Sequence, residues 1–263
     1  MPEALPVSFL EETGIFETMR SEKRKIIALE EHLDRLFESA HAIKLPLGHS
    51  RKSLRTLLEK EIASGPYPDA YVRITFVRDG KSARLFLIVK EAKRYPPSFY
   101  KKGISIRTSP TRRNAVSAID AQLKVKEFLN GLLATVDGLV SEEEAFEEIY
   151  LDSRGYVTEG RISNIFLVKD GTLVTPPLFL GVLRGITRDQ VIRETKRIGA
   201  VIREEPFTRF NLYGADEVFL TNTSMGVMPV SSVDKRIISE GFVGPVAKSL
   251  IACLRRQGMT EHA

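Results

Sequence analysis

Along this chain apolar residues recur now at every second position and now at three-to-four spacing, and the switches between those periods mark out the elements. Ile26 to Leu29 predicts a short strand. The segment EEHLDRLFESAHAI then sets Leu33, Leu36, Phe37, Ala40 and Ile43 on one helical face. Ser50 stands as an N-cap before a second helix, RKSLRTLLEKEIAS. AYVRITFVRDGKSARLFLIVKEA predicts two strands joined at Asp79-Gly80, with Pro96-Pro97 closing the segment. TSPTRRNAVSA, residues 108–118, is polar and without period, as a connection would be. Beyond it come a helix carrying Leu123, Phe128, Leu132 and Leu133, a β-rich stretch from Asp152 to Gly171, and a helix from about Thr187 to Ile198. The strand DEVFLT and a last helix near Val246 to Arg256 complete the pattern. The expectation is a mixed α/β (α+β) fold in two parts: a small N-terminal α/β domain over 1–108, a connection at 109–118, and a larger C-terminal domain over 119–263.

Composition narrows the classes. A chain of 263 residues with 43% hydrophobic content can bury a real core. The net charge of +5 does not indicate nucleic acid, because Lys and Arg are interleaved with 34 acids and form no basic tract with aromatic partners. The opening MPEALPVSFLEETG has early acids and no long apolar core, and no run approaches membrane-spanning length, so a cytoplasmic protein with no membrane partner is expected. Cys253 is the sole cysteine, so no intrachain disulfide can form, and four scattered His argue against a metal site. No Gly-rich nucleotide loop is present.

The stretch with chemistry in it is DSRGYVTEGRISNIFLVKDG, residues 152–171. Ser153-Arg154-Gly155 and Asp170-Gly171 are turn signals bracketing β-rich runs that read as two hairpin strands, and Glu159-Gly160 interrupts the middle. An isolated carboxylate there is either a solvated hairpin side chain or a group waiting for a partner. The stretch resembles the signature of the class IV aminotransferases, which runs roughly LD-x-x-G-x-V-x-EG-x-x-SN-x-F-x-V-x-x-G. GIFETMR (Gly14 to Arg20), HLDRL (His32 to Leu36), LRGITRD (Leu183 to Asp189) and ADEVFLTNTSMGVMPV (Ala215 to Val230) match further pieces of the family pattern in the right order.

That resemblance implies a two-domain fold of type IV among pyridoxal 5'-phosphate (PLP) enzymes, and a homodimer. It implies a lysine that forms a Schiff base with the cofactor and shuttles protons. Lys124 fits the family's local pattern and is favoured, while Lys126 fits ungapped spacing from Glu159. Glu159 would lie beside the pyridine nitrogen and favour its protonated form. Arg35, the backbone around Gly185-Ile186-Thr187, and Thr223 with Ser224 would hold the phosphate, and Ser163 with Asn164 would face the site. Phe16, Arg73, Arg78, Asn222 and Met225 are the candidates for contacting substrate. Arg73 and Arg78 are five apart and fall on opposite faces of a regular strand. The implied reaction is amino transfer from an amino acid to a 2-keto acid. The alternative is a 4-amino-4-deoxychorismate lyase releasing 4-aminobenzoate and pyruvate, and the remote alternative a non-catalytic PLP-binding homologue.

Overall fold

The computed structural model describes residues 14–112 and 145–256. They divide into two compact units after Lys93.

The smaller unit is built on a four-stranded antiparallel sheet in the order β2-β1-β3-β4, with β1 at Gly14–Glu22, β2 at Lys25–Ile26, β3 at Ala70–Asp79 and β4 at Ser82–Glu91. Helices α1 (Leu29–Ala42) and α2 (Arg51–Ser64) bury Leu33, Leu36, Ala40, Leu54, Leu58 and Ile62 in one core with Ile15, Met19, Val72, Ile74 and Phe76. Phe37 and Ile43 pack against that core from the edge, as the helical spacing predicts. Ser50 does cap α2, its Oγ accepting from the Ser53 N–H at 3.1 Å. The strand expected over Ile26 to Leu29 stops at Ile26, because Ala28 takes a left-handed φ of 53° and turns the chain straight into α1. Glu30 and Glu31 then lie in the first turn of that helix, where its dipole favours acids.

The larger unit holds a nine-stranded mixed sheet in the order β10-β9-β8-β11-β12-β5-β6-β7, with β13 paired to β12. Its strands are β5 (Ile104–Arg112), β6 (Glu147–Leu151), β7 (Val157–Gly160), β8 (Asn164–Lys169), β9 (Thr172–Thr175), β10 (Ile202–Glu204), β11 (Glu217–Asn222), β12 (Gly226–Val233) and β13 (Arg236–Ile237). Helices α3 (Pro97–Lys102), α4 (Ile186–Arg197), α5 (Arg209–Tyr213) and α6 (Pro245–Arg256) accompany them. The core is continuous from Ile104 and Ile106 through Phe166 and Phe219 to Leu250 and Leu254. Residues up to Arg112, which by polarity suggest a connection, extend β5 between β12 and β6. The alternation is plain over Ile104 to Arg107 but lost among the hydroxyl and basic side chains beyond.

Asp152 to Gly171 does form two strands between two turns, but they do not pair with each other. β7 pairs back onto β6, and β8 pairs with β9 and β11. A short turn therefore joins strands that stand far apart in the sheet order, so the sheet must curl to bring them near. Among the described residues no helix is long and apolar enough to cross a membrane, and no cluster of His, Cys, Asp and Glu could hold a metal ion.

Phe166 and Phe219 are fully buried and stacked, with ring centroids 5.1 Å apart. Phe166→Ala is expected to lower unfolding free energy by about 3–5 kcal/mol, the usual cost of emptying a core aromatic site. Chemical denaturation of the variant beside the parent measures it, and a loss under about 1 kcal/mol would mean the ring pair is not central to the core.

Candidate functional site

Glu159 is the third residue of β7, all four of whose residues are buried, and is itself 6% exposed. Two donors hold one of its oxygens, Oε2: Asn164 Nδ2 at 3.0 Å and the Leu183 N–H at 2.9 Å. Asn164 also donates to the Leu183 carbonyl at 2.9 Å, so carboxylate, amide and backbone close a small ring of hydrogen bonds. Buried polar atoms need such partners, since stranding one costs a few kcal/mol.

The turn between β7 and β8 makes this convergence possible. The Gly160 N–H donates to the Ser163 carbonyl at 2.7 Å, which brings Asn164 back toward Glu159. A Cβ on Gly160 would run into Ser163 Oγ and sit 3.0 Å from Glu147 Cδ, so a glycine is required there for space. Gly185 is under a similar constraint, because a Cβ would overlap Asn164 Oδ1.

Gly185 is also the N-cap of α4, and no side chain caps that end. The helix expected from about Thr187 starts one residue earlier, at Ile186, leaving Thr187 in its first turn. Ile186 and Thr187 are both buried. Backbone N–H groups at an uncapped helix start favour an anion. The Thr221–Asn164 pairing of β11 and β8 sets the next turn alongside. Asn222 organises that turn: its Oδ1 accepts from the N–H groups of Ser224 and Met225 at 2.9 and 2.8 Å, and its Nδ2 donates to the Ile162 carbonyl at 3.3 Å. Thr223 and Ser224 are half-buried, Met225 is buried, and Tyr100 donates to the Met225 carbonyl at 3.0 Å. Glu159, Ser163, Asn164, Ile186, Thr187, Asn222, Thr223, Ser224 and Met225 thus lie at the hydrogen-bonded ends of β7, β8, β11 and α4 and on the turns adjoining them in the larger unit.

Sequence reasoning missed Glu147, Leu183 and Tyr100. Glu147 is 4% exposed, and its carboxyl accepts from the Ile162 N–H at 2.9 Å and from Ser163 Oγ at 3.1 Å. Burial pushes its pKa up to about 7, against the opposing pull of those two hydrogen bonds and of Arg161. Burial, with Glu147 as a like-charged neighbour, also raises the Tyr95 phenol. The signal for Glu147 was the β-rich EIYL run that follows it, masked by the acids before it.

The other candidates belong to the smaller unit. Arg35 is 7% exposed and binds Glu17 through Nε at 2.7 Å and Nη2 at 2.8 Å, while His32 Nδ1 lies 2.7 Å from the same carboxylate. Arg73 stacks over the Phe16 ring at 4.1 Å. Arg78 reaches the other way and donates to the carbonyls of Ile43 and Lys44 past the end of α1, at 3.1 and 3.2 Å. Lys124 and Lys126 lie outside the described residues.

A family model for amino-transferase class IV matches residues 14–233. The chain is 34% identical over 245 residues to a candidate branched-chain-amino-acid aminotransferase of Methanocaldococcus jannaschii, covering 90% of this chain and 84% of that one. It is 33% identical over 260 residues to the branched-chain-amino-acid aminotransferase of Escherichia coli K12, covering 90% and 82%. The E. coli crystal structure superposes with a TM-score of 0.86 at 30% identity, over 95% of this chain and 87% of that one. A branched-chain amino acid aminotransferase of T.th., solved with pyridoxamine 5'-phosphate, gives 0.85 at 30% identity, over 94% and 85%. A candidate 4-amino-4-deoxychorismate lyase from Legionella pneumophila gives 0.84 at 23% identity, over 97% and 96%, a likeness of fold alone. Matched in sequence from Gly14 to Val233 and in structure over nearly its whole length, the chain belongs to the amino-transferase class IV family of enzymes.

Proposed function

We propose that this protein is a PLP-dependent aminotransferase that moves the amino group of an amino acid to a 2-keto acid, with branched-chain amino acids as the first donors to test. The observation that carries this reading is the buried Glu159 carboxylate, held through Oε2 by Asn164 and by the N–H of Leu183, the residue that stands just before the uncapped start of α4. The residues fit the cofactor: a carboxylate for a ring nitrogen, an amide-lined helix start for a phosphate, and a glycine at 185 where any side chain would collide with Asn164. The E. coli and T.th. relatives support the choice of donor by their names.

Bound PLP supplies an electron sink for the carbanion that forms at the substrate α-carbon. Glu159 holds the proton on the pyridine nitrogen by opposite charge, and Asn164 with the Leu183 N–H keeps that carboxylate from turning away. The N–H groups of Ile186 and Thr187 and the hydroxyls of Thr187, Thr223 and Ser224 bind the phosphate, and Ser163 braces the turn beneath Glu159. By resemblance Arg35 adds positive charge for the phosphate, and Phe16, Asn222 and Met225 meet the substrate together with one of Arg73 and Arg78, which lie on opposite strand faces. Lys124, or Lys126 in its place, would hold the cofactor through Nζ and, once the substrate amine has displaced it, would take up the proton leaving the substrate α-carbon on that freed amine. The enzyme acts as a cytoplasmic homodimer in this reading.

The lyase reading rests on FETMR and PPSFYKKGISI, which resemble that branch of the family. Purified PLP-loaded protein offered L- and D-amino acids with 2-oxoglutarate or pyruvate should give acceptor-dependent amino transfer. Release of 4-aminobenzoate and pyruvate from aminodeoxychorismate without an acceptor would establish the lyase instead, and PLP uptake with neither turnover would leave a binding homologue. Glu159→Gln should slow turnover roughly 10- to 1,000-fold, the loss that follows when an ionic partner no longer shifts a pKa by about one to three units; single-turnover kinetics measure it, and an unchanged rate would remove Glu159 from the mechanism. Borohydride reduction and peptide mapping should place the phosphopyridoxyl label on Lys124; a label on Lys126 would reverse that choice.

A further inference from the structure

Glu147 is a buried ionisable group to which the reaction gives no task. It opens β6, whose other acid, Glu148, pairs with Arg107. The turn from Gly160 to Ser163 is fastened to β6 at two successive amides: the Arg161 N–H donates to the Glu148 carbonyl at 3.2 Å, and the Ile162 N–H donates to the Glu147 carboxyl at 2.9 Å. Ser163 Oγ donates to the second carboxyl oxygen at 3.1 Å. The carboxyl group lies directly beneath the Gly160 backbone, which is why a Cβ there would come within 3.0 Å of it. Glu159 and Asn164 are the residues that flank this turn, and their mutual bond of 3.0 Å depends on the turn's shape.

We propose that Glu147 is a positioning residue that fixes the turn between Glu159 and Asn164 and so sets how firmly the cofactor's ring nitrogen is held. The inference rests on the PLP reading above. An apolar side chain of the same size would leave the buried Ser163 hydroxyl without this acceptor and free the Ile162 N–H from the turn's anchor, whereas a carboxyl serves both. It does so in either protonation state. Ionised, it accepts twice; protonated, Oε2–H donates to Ser163 Oγ while Oε1 still accepts from Ile162. The ionisable and charged groups facing it are Arg161 on the turn and Tyr95 ahead of α3.

The sign of the pH dependence follows from burial. A carboxyl whose folded pKa, about 7, lies above its ordinary 4.5 contributes stability that is whole below the ordinary value and is lost as pH rises toward 7. Glu147→Gln, which accepts and donates without titrating, should therefore gain in melting temperature over the parent as pH rises from 4.5 to about 7, and hold that gain above it.

The test compares parent, Glu147→Gln, Glu147→Ala and Glu147→Asp by PLP titration, the pH midpoint of the bound cofactor's absorbance, and melting temperature. Glu147→Gln should keep the parent's PLP affinity. Glu147→Ala should weaken PLP about tenfold, as loss of the acceptor for the buried Ser163 hydroxyl implies, and shift the absorbance midpoint. Glu147→Asp, one methylene shorter, should shift both in the same direction and serves if the Ala variant fails to fold. Variants that melt earlier yet bind PLP with the parent's affinity and absorbance midpoint would reduce Glu147 to a structural role and overturn the inference alone. A parent that takes up no PLP would overturn this inference and the functional reading together.

Discussion

The arrangement of the proposed site depends on satisfying the buried carboxylate of Glu159. Taking Glu159 out of water carries a penalty of several kcal/mol unless hydrogen bonds replace the solvent. The chain meets that demand with Asn164 and the Leu183 N–H on a single oxygen. Each donor then imposes its own requirement. Asn164 must return to Glu159 within five residues, which calls for the tight turn at Gly160. Leu183 must arrive from the segment before α4, and Gly185 must stay small for Asn164 to fit.

The topology turns these local demands into a site. β7 and β8 are consecutive in the chain but are separated in the sheet by β11, β12, β5 and β6, so the curl that brings them together also places several strand ends in one region. The turn after β11 comes alongside through the Thr221–Asn164 pairing, and Asn222 ties it to the β7–β8 turn at the Ile162 carbonyl. The proposed site sits on these turns, while Phe166, Phe219 and the strands beneath them form the packed core that carries it.

The parts visible in the sequence were those with a clean period or a local stereochemical rule. α1 and α2 show helical spacing, Ser50 is an N-cap, and Asp79-Gly80 marks the β3–β4 hairpin. Strand parity separated Arg73 from Arg78, and the two side chains do go to different neighbours, Phe16 and the end of α1. Pairing partners were not visible, because the same β-rich runs would serve a hairpin as well as two distant ladders. Glu147 escaped notice for a physical reason: an acid in the run SEEEAFEE is normally solvated, and a buried one betrays itself only through partners brought by the fold. Leu183 acts through its backbone N–H, which no side-chain pattern reveals.

If Glu159 keeps the pyridine nitrogen of the cofactor protonated, the rest of the proposed chemistry follows from it. The most direct measurement is the 15N resonance of pyridine-labelled PLP bound to the protein and to Glu159→Gln across neutral pH. A protonated nitrogen in the parent and a neutral one in the variant is the predicted result. A neutral nitrogen in the parent, or the same protonated signal in both, would contradict it.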